Sequence, residues 1–169
     1  MPQVKVDRRK IDRIDLKILT ILQQNARITN KELAEQAGLS ARPCLERVRR
    51  LMAAGYVRSL NAILEPAKFG NPVTIYAHIA LATQERRLGE RFEAVISRVE
   101  EAVECFEVSG DVDYLARFIC PSLDIYYRIT ASLLENAQIG VRRIDSTIVL
   151  RTVTPWRGLP ASILQKSLD

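Results

Sequence analysis

The sequence predicts an α+β protein of two domains, an all-helical N-terminal domain and a C-terminal domain in which strands and helices alternate. Apolar residues recur at helical spacing up to about Gly55, whereas Val73 to Leu81 are apolar at every second position, as in a half-buried strand. The cluster Phe69-Gly70-Asn71-Pro72 lies between the two patterns and is typical of a loop. Charge changes at the same place. Residues 1–60 hold 13 Lys and Arg against 6 Asp and Glu, while residues 61–169 hold 12 against 14.

The first predicted helix begins after Asp12 and runs to about Asn25. Asp12 is a suitable N-cap, and Asp15 falls in the first turn, where the helix dipole favours an anion. The apolar residues of this helix recur at helical spacing and include Ile14, Ile18, Leu19, Ile21 and Leu22. Their stripe predicts one side of a small three-helix core.

Two short helices follow, joined by a tight turn. Thr29 and Glu32 have the spacing of a capping box, in which each side chain satisfies a free backbone N–H of the other residue. Gly38 stands where a helix C-terminus takes a left-handed residue, and Ser40 is a suitable N-cap for the next helix. This arrangement is typical of a helix-turn-helix, whose second helix enters the DNA major groove.

The second of these helices has an apolar side and a basic side. At about 100° per residue its predicted inward residues are Ala41, Cys44, Leu45, Val48, Leu51 and Met52. Arginine reads guanine or binds phosphate, and glutamate accepts from cytosine. The predicted DNA contacts are therefore Thr29, Asn30, Ser40, Arg42, Pro43, Glu46, Arg47, Arg49 and Arg50. The alternative is an ordinary solvated helix, which the net charge of +7 in residues 1–60 makes less attractive.

Four segments follow from these patterns. Residues 1–60 form the DNA-binding domain, residues 61–72 a linker, residues 73–153 the second domain, and residues 154–169 a C-terminal tail. Tyr56 to Leu64 has extended character, which fits either a linker or the small wing of a winged helix, and Glu65-Pro66 ends it.

The second domain alternates its periods in the order β-α-β-β-α-β. Its predicted elements are a strand at Val73–Leu81, a helix with apolar residues from Leu88 to Val99, strands at Val103–Val108 and Tyr114–Cys120, a helix after Pro121-Ser122, and a strand at Val141–Val153. This order is that of a ferredoxin-like fold, with four antiparallel strands and two helices on one face. The other sheet face is left uncovered in a single chain, which favours contact with a second copy.

Several classes of function are disfavoured. The single histidine, His78, excludes a mechanism with two imidazoles, and no nucleophile–base pair or phosphate-binding glycine loop is evident. We therefore predict no catalytic residue, no metal site and no cofactor. Cys44, Cys105 and Cys120 have unrelated spacings that suit buried thiols in a reducing cytoplasm. No secretion signal and no apolar run of about 18 residues is present, so we expect a cytoplasmic, nucleoid-associated protein without a membrane partner.

Three segments, in this order and spacing, resemble the Lrp/AsnC, or leucine-responsive, regulators of bacteria and archaea. They are IDRIDLKILTILQQNARIT, GLSARPCLERVRRL and VSGDVDYL, and the resemblance runs from about Ile11 to Val153. It implies a transcription factor that binds double-stranded DNA and whose C-terminal domain binds an amino acid or a related small molecule. It also implies homodimers that assemble into tetramers or octamers and bend or wrap DNA.

The resemblance also implies an effector site at the junction between dimers, against the loop between the second and third strands. There the G-x-x-D-Y pattern falls on Gly110, Asp111, Val112, Asp113 and Tyr114, and Ser146, Thr147 and Thr152 are candidates to complete a polar pocket. A carboxylate such as Asp113 suits the ammonium of an amino acid, and free loop N–H groups suit its carboxylate. The alternative is that this Gly-Asp-x-Asp run is simply a hairpin turn.

Three functions are thus compared. An effector-responsive transcription regulator explains the basic helix, the charge division and the second domain together. An effector-independent DNA-organising, or architectural, protein shares every DNA feature and differs only in its lack of response to a small molecule. An enzyme built on Glu107, Asp111 and Asp113 lacks any group that would activate a substrate.

Overall fold

A computed structural model describes residues 11–165 of the chain. Residues 1–10 and 166–169, which the sequence analysis assigned to the DNA-binding domain and the tail, lie outside the described residues. Within the described part the chain forms two compact units, one of residues 11–63 with residues 155–165, the other of residues 64–154. None of the helices described is long and apolar enough to cross a membrane.

Three helices build the first unit: α1 (Arg13–Gln24), α2 (Asn30–Ala37) and α3 (Ala41–Ala53). Reciprocal capping boxes begin α1, between Asp12 and Asp15, and α2, between Thr29 and Glu32. Gly38 ends α2 in the left-handed region at φ +77°, as the sequence predicts, so the chain reverses within a few residues. The helix-turn-helix is therefore confirmed.

The core of this unit lies between the three helices. Its fully or nearly fully buried residues include Ile18, Leu33, Ala34, Cys44 and Leu51. The inward side of α3 is narrower than predicted, since Ala41 and Met52 are exposed and only Cys44 and Leu51 are buried. Ala41 is the first residue of α3 and Met52 the last but one, so both lie at the ends of the helix. Ser40 takes the N-cap position, but its hydroxyl makes no capping hydrogen bond.

Residues 155–165 belong to the first unit and not to a separate tail. They end in a short helix, α6 (Ala161–Gln165), which contacts α1, and Leu164 packs against the core of the three helices. The side-chain amide of Gln23 on α1 exchanges two hydrogen bonds with the backbone of Leu159. Between α3 and the second unit, Val57–Leu64 form no helix or strand, and Pro66–Phe69 form a single 3₁₀ turn.

The second unit is a four-stranded antiparallel sheet with two helices. Its elements are β1 (Val73–Leu81), α4 (Arg86–Ile96), β2 (Ala102–Glu107), β3 (Tyr114–Cys120), α5 (Leu123–Glu135) and β4 (Val141–Ile148), and the strand order is β2-β3-β1-β4. The predicted β-α-β-β-α-β order is confirmed. The last strand ends at Ile148 and not at Val153. It pairs antiparallel with β1, so it has no partner beyond the start of β1 at Val73. The N–H of Val149 still donates to Thr74, but later residues have no strand to pair with.

The sheet has one packed face and one open face. Alternate residues of β1 and β3, among them Ile75, Ile79 and Phe118, are buried against Phe92 of α4 and Tyr126 of α5. The intervening residues form the open face. It consists of Thr74, Tyr76, His78 and Ala80 on β1, Leu115, Arg117 and Ile119 on β3, Phe106 and Glu104 on β2, and Arg143, Asp145 and Thr147 on β4. Both helices of this unit pack on the other face.

Candidate DNA interface and effector site

The outward side of α3 presents a small group of charged side chains. Arg42, Pro43, Glu46 and Arg49 are all exposed. The Nε of Arg42 donates to Oε1 of Glu46 at 3.3 Å, one turn along the helix, and the Arg42 side chain is 91% exposed. An exposed pair of this kind contributes little stability. Arg42 therefore keeps the terminal N–H groups with which a guanidinium addresses a base edge or a phosphate.

The structure turns Arg47 and Arg50 toward α1, which corrects the orientation expected from the sequence. Arg47 Nη1 lies 2.6 Å from Asp12 Oδ2 and 2.8 Å from Asp15 Oδ1, and its side chain is 26% exposed. Arg50 Nη2 lies 2.8 and 2.7 Å from the two oxygens of Asp15. The Asp15 side chain is 1% exposed, so a buried carboxylate requires partners of this kind. Arg50, at 52% exposure, still reaches solvent.

The same network perturbs the pKa values of its outer members. Burial acts to raise the pKa of Asp12, but the backbone N–H of Asp15 and the guanidinium of Arg47 outweigh it and hold that pKa below its usual value. Hydrogen bonds to Asp12 and Asp15 raise the pKa of Arg47 further. The ion pairs of this network link α3 to α1.

Thr29 and Asn30, both predicted DNA contacts, take part in the internal geometry of the motif. The Thr29 hydroxyl donates to Glu32 Oε2 at 2.8 Å and accepts from the Glu32 N–H, and this bonding lowers the pKa of Glu32. Asn30 Nδ2 donates to the carbonyl of Ala41 at 2.9 Å and so ties the start of α2 to the start of α3. Their contact with DNA stays a prediction.

The loop between β2 and β3 is held against the end of β1. Gly110 has φ +122°, a conformation that favours glycine. The N–H of Asp113 donates to the carbonyl of Ile79, and Asp113 Oδ2 accepts from the N–H of Leu81 at 2.7 Å. The carboxylate of Asp113 is thus partly used by the backbone of β1, whereas Asp111 is exposed and Val112 is half-buried.

Tyr114 is a core residue, and its side chain contacts α4. Its hydroxyl donates to Glu93 Oε1 at 3.1 Å, and its ring centroid lies 4.6 Å from that of Phe92. Burial, together with Glu93, raises the pKa of the Tyr114 phenol. It lies on the packed face because it begins β3 in register with Ile79, which points into the core.

The residues predicted to complete the pocket lie apart from the loop. β1 and β4 are antiparallel, so Leu81, beside the loop, is opposite Val141, and Ile75, at the other end, is opposite Ile148. Ser146 is on the packed face, where its hydroxyl bonds that of Tyr126 at 2.5 Å, whereas Thr147 is on the open face. Thr152 follows the end of β4, away from the loop. One chain alone does not bring these residues together.

The three cysteines behave as buried or half-buried thiols. Burial raises the pKa of Cys44 and of Cys120, and burial beside Glu93 raises that of Cys105 to about 11. Thiols of this kind are poor nucleophiles at neutral pH. In the described part of the chain no group of three or more His, Cys, Asp or Glu side chains is arranged to hold a metal ion.

Sequence reasoning missed the central role of Asp15, which it took only as an anion favoured by the helix dipole. The available signal was its position. Asp15 shares a helical face with the apolar residues Ile18 and Leu22, so it is directed inward. A carboxylate on a buried stripe needs a cation. Gln23, which holds Leu159, gave no such signal.

A helix-turn-helix with a basic outer face, joined to a ferredoxin-like domain with a structured loop, defines a DNA-binding regulator of the kind controlled by small molecules. Residues 11–58 match the family model described as winged helix-turn-helix DNA-binding, and residues 74–159 match the model described as the Lrp/AsnC ligand binding domain. The chain belongs to the Lrp/AsnC family of transcriptional regulators.

Relatives of known sequence span nearly the whole chain. The transcriptional regulatory protein DoeX of Halomonas elongata is 39% identical over 144 residues, which cover 85% of this chain and 90% of the relative. The leucine-responsive regulatory protein of Salmonella typhimurium is 38% identical over 143 residues, which cover 85% of this chain and 87% of that relative.

Solved structures agree. An AsnC family transcriptional regulator from Agrobacterium tumefaciens has a TM-score of 0.82 at 33% identity, and the match covers 90% of this chain and 99% of that one. A transcriptional regulator from Neisseria meningitidis, in complex with L-Met, has a TM-score of 0.83 at 30% identity. This match covers 91% of this chain and 99% of that one.

The buried carboxylate generates a stability prediction. We expect Asp15→Ala to lower the free energy of unfolding of the first unit by about 1–3 kcal/mol, because it leaves Arg47 and Arg50 without their shared partner, and partial exposure of both arginines softens the loss. Urea denaturation followed by circular dichroism measures it. Glu35→Ala is the control, since Glu35 is an exposed acid of α2 with no ion pair among the described residues, and equal stability of the two variants would contradict the role of Asp15.

Proposed function

We propose that this regulator docks the exposed side of α3 in the DNA major groove and responds to an amino acid bound at the β2–β3 loop. The observation that carries the proposal is that the charged side chains of α3 point to two different sides. Asp15 holds Arg47 and Arg50 inward, and Arg42, Glu46 and Arg49 remain as the outward charged group. The protein acts in the cytoplasm, on the nucleoid, as an assembly of identical chains and without catalysis.

The DNA contacts divide into two kinds in this proposal. Ser40, Arg42, Pro43, Glu46 and Arg49 meet base edges and phosphates from the outward side of α3. The remaining predicted residues act from the rim, where their internal hydrogen bonds fix their direction, and they are Thr29, Asn30, Arg47 and Arg50. Arg50 fits a phosphate best among these four, since half of its side chain is exposed.

The DNA proposal predicts the effect of removing outward arginines. We expect Arg42→Ala and Arg49→Ala to weaken binding to a duplex that the wild-type protein selects from a random library. A lost guanine contact costs about 1–3 kcal/mol, and a lost phosphate contact lowers the salt slope by about 1. Fluorescence anisotropy at several salt concentrations separates the two cases.

Arg128→Ala is the matched control, because Arg128 is an exposed arginine of α5 in the other unit. Wild-type affinity in both α3 variants would contradict the docking of this face.

An amino acid suits the effector site for reasons of charge. The exposed carboxylate of Asp111 is free for an ammonium group, and the backbone around Gly110 can approach a carboxylate closely because Gly110 has no side chain. Asp113 positions the loop on Leu81. Thr147 and Thr152 join the site from a neighbouring chain, since their own chain holds them away from the loop. Ser146 stays on the packed face, where its hydroxyl bonds that of Tyr126. The complex of the Neisseria relative with L-Met supports this ligand class.

The effector proposal predicts the result of neutralising Asp111. A screen of the twenty amino acids by thermal shift identifies the ligand, because binding to the folded state raises the melting temperature. We then expect Asp111→Asn to lower the affinity for that amino acid roughly tenfold, since a charged hydrogen bond is lost. Calorimetry of Asp111→Asn beside Glu100→Gln, a control at an exposed acid, measures the effect.

Equal affinity in the two variants would contradict the site. A screen without any shift would contradict an amino-acid effector and favour the architectural alternative, in which DNA binding needs no ligand. The match of residues 74–159 to a ligand-binding domain favours the effector-responsive function.

Self-association follows from the open face of the sheet. Phe106 is 50% exposed there, beside the half-buried Leu115 on the neighbouring strand. Apolar side chains on a face without helices favour burial against the same face of a second copy, with two-fold symmetry.

A charge on this face tests the association. We expect Phe106→Glu to shift the protein toward the monomer, because two symmetry-related carboxylates would meet in the interface. Light scattering after size exclusion measures the mass. Leu134→Glu is the control, since Leu134 is 45% exposed on α5, and the same mass for both variants would place the interface elsewhere.

A further inference from the structure

Residues 155–165, which follow the effector domain, bind a specific place on α1. We call this place the seat. Gln23 Nε2 donates to the carbonyl of Leu159 at 3.0 Å, and the N–H of Leu159 donates to Gln23 Oε1 at 2.9 Å. Both polar ends of one side-chain amide are thereby matched to one backbone residue. A segment that only covered apolar side chains of α1 would not need these two hydrogen bonds.

Gly158 adapts the backbone to this seat. It has φ +88°, and a Cβ atom built there would collide with Cδ of Gln23. Any other residue is therefore strained in its backbone and also collides with the amide that holds the segment. Gly70, by comparison, has φ +108° with nothing within 4 Å of the same position.

The seat is only partly filled. Leu164 packs against the helical core, but Ile163 is 53% exposed, and a cavity of about 420 Å³ separates α6 from α1. The cavity is lined by Arg13, Leu16, Lys17 and Thr20 of α1 and by Ala161, Leu164 and Gln165 of α6. A seat fixed by two hydrogen bonds and one buried side chain is specific, yet it opens more readily than a packed core does.

The segment joins two functional elements by a short length of chain. β4 ends at Ile148, its pairing ends with Val149, and Leu159 follows ten residues later. Leu159 holds Gln23 near the end of α1, and α1 also carries Asp15, which binds Arg47 and Arg50 of α3. Each step from Leu159 to α3 is thus a contact between named atoms or lies within α1.

We propose that residues 155–165 are a strap that braces α1 and, through Asp15, positions the DNA-contacting helix α3. Gln23 and Leu159 are positioning residues in this role, since neither is among the proposed DNA contacts. The inference rests on the proposed docking of α3 in DNA.

Two variants that open the seat from opposite sides test the strap. Gln23→Ala removes both hydrogen bonds from α1, and Gly158→Ala blocks the seat from the segment. Their controls are Gln24→Ala, an exposed neighbour on the same helix, and Gly70→Ala, at a glycine that also has a positive φ but has no atom in the way of a Cβ. We expect affinity for the selected duplex to fall on the order of fivefold in both test variants and to stay at the wild-type level in both controls.

Hydrogen exchange supplies a readout that does not depend on DNA. We expect faster exchange of the α1 amides in Gln23→Ala and Gly158→Ala, at a temperature where the circular dichroism of all variants equals that of the wild type. Gln23→Glu keeps an acceptor for the Leu159 N–H, so its affinity should lie between those of wild type and Gln23→Ala, with Gln24→Glu as the control for added charge.

Exchange and affinity equal to the controls in both test variants would overturn the strap. Faster exchange in α1 with unchanged affinity would also overturn it, since the seat would then hold the segment without positioning α3. Failure of the docking proposal is distinguished by Arg42→Ala and Arg49→Ala, which leave the seat intact and alter only the outward side of α3.

Discussion

The buried carboxylate of Asp15 is the constraint on which the DNA-binding unit depends. A carboxylate removed from water needs cations and hydrogen-bond donors, and Arg47 and Arg50 supply both from one side of α3. Arg47 and Arg50 meet this demand by facing α1, while Cys44 and Leu51 of the same helix are buried in the core. Arg42 and Arg49 are exposed on the outward side. In the proposed docking, the side of α3 that meets DNA thus depends on the contacts that its other side makes.

Sequence patterns predicted the features that depend on neighbouring residues, such as helix caps and the order of elements. They did not predict the features that depend on residues far away in the sequence. The caps at Asp12, Thr29 and Gly38 were predicted because each is satisfied within a few residues. The β-α-β-β-α-β order followed from apolar periods in the same way. Arg47 was assigned to the wrong direction because its partners lie 32 and 35 residues away. The last strand was drawn too long because the start of its partner, at Val73, sets where pairing ends.

In the effector domain, the sequence predicted one site from residues that a single chain does not bring together. A family pattern brought eight residues into one predicted site, but the antiparallel sheet places the β2–β3 loop at one end and Thr152 beyond the other. Ser146 and Thr147 cannot share a pocket within one chain, since neighbouring strand residues point to opposite faces. Tyr114 is used by the core. In the proposed site, which takes residues from a neighbouring chain, ligand occupancy is coupled to association of the chains.

The path of the chain has a consequence for how this protein can be taken apart. The chain leaves the first unit after Ile63 and re-enters it at Pro155, so the effector domain is an insertion within the DNA-binding domain. A fragment that ends near residue 60 lacks Leu164 from its core and leaves the amide of Gln23 without Leu159. Within the described residues, an intact DNA-binding unit therefore needs residues 155–165 as well as residues 11–63.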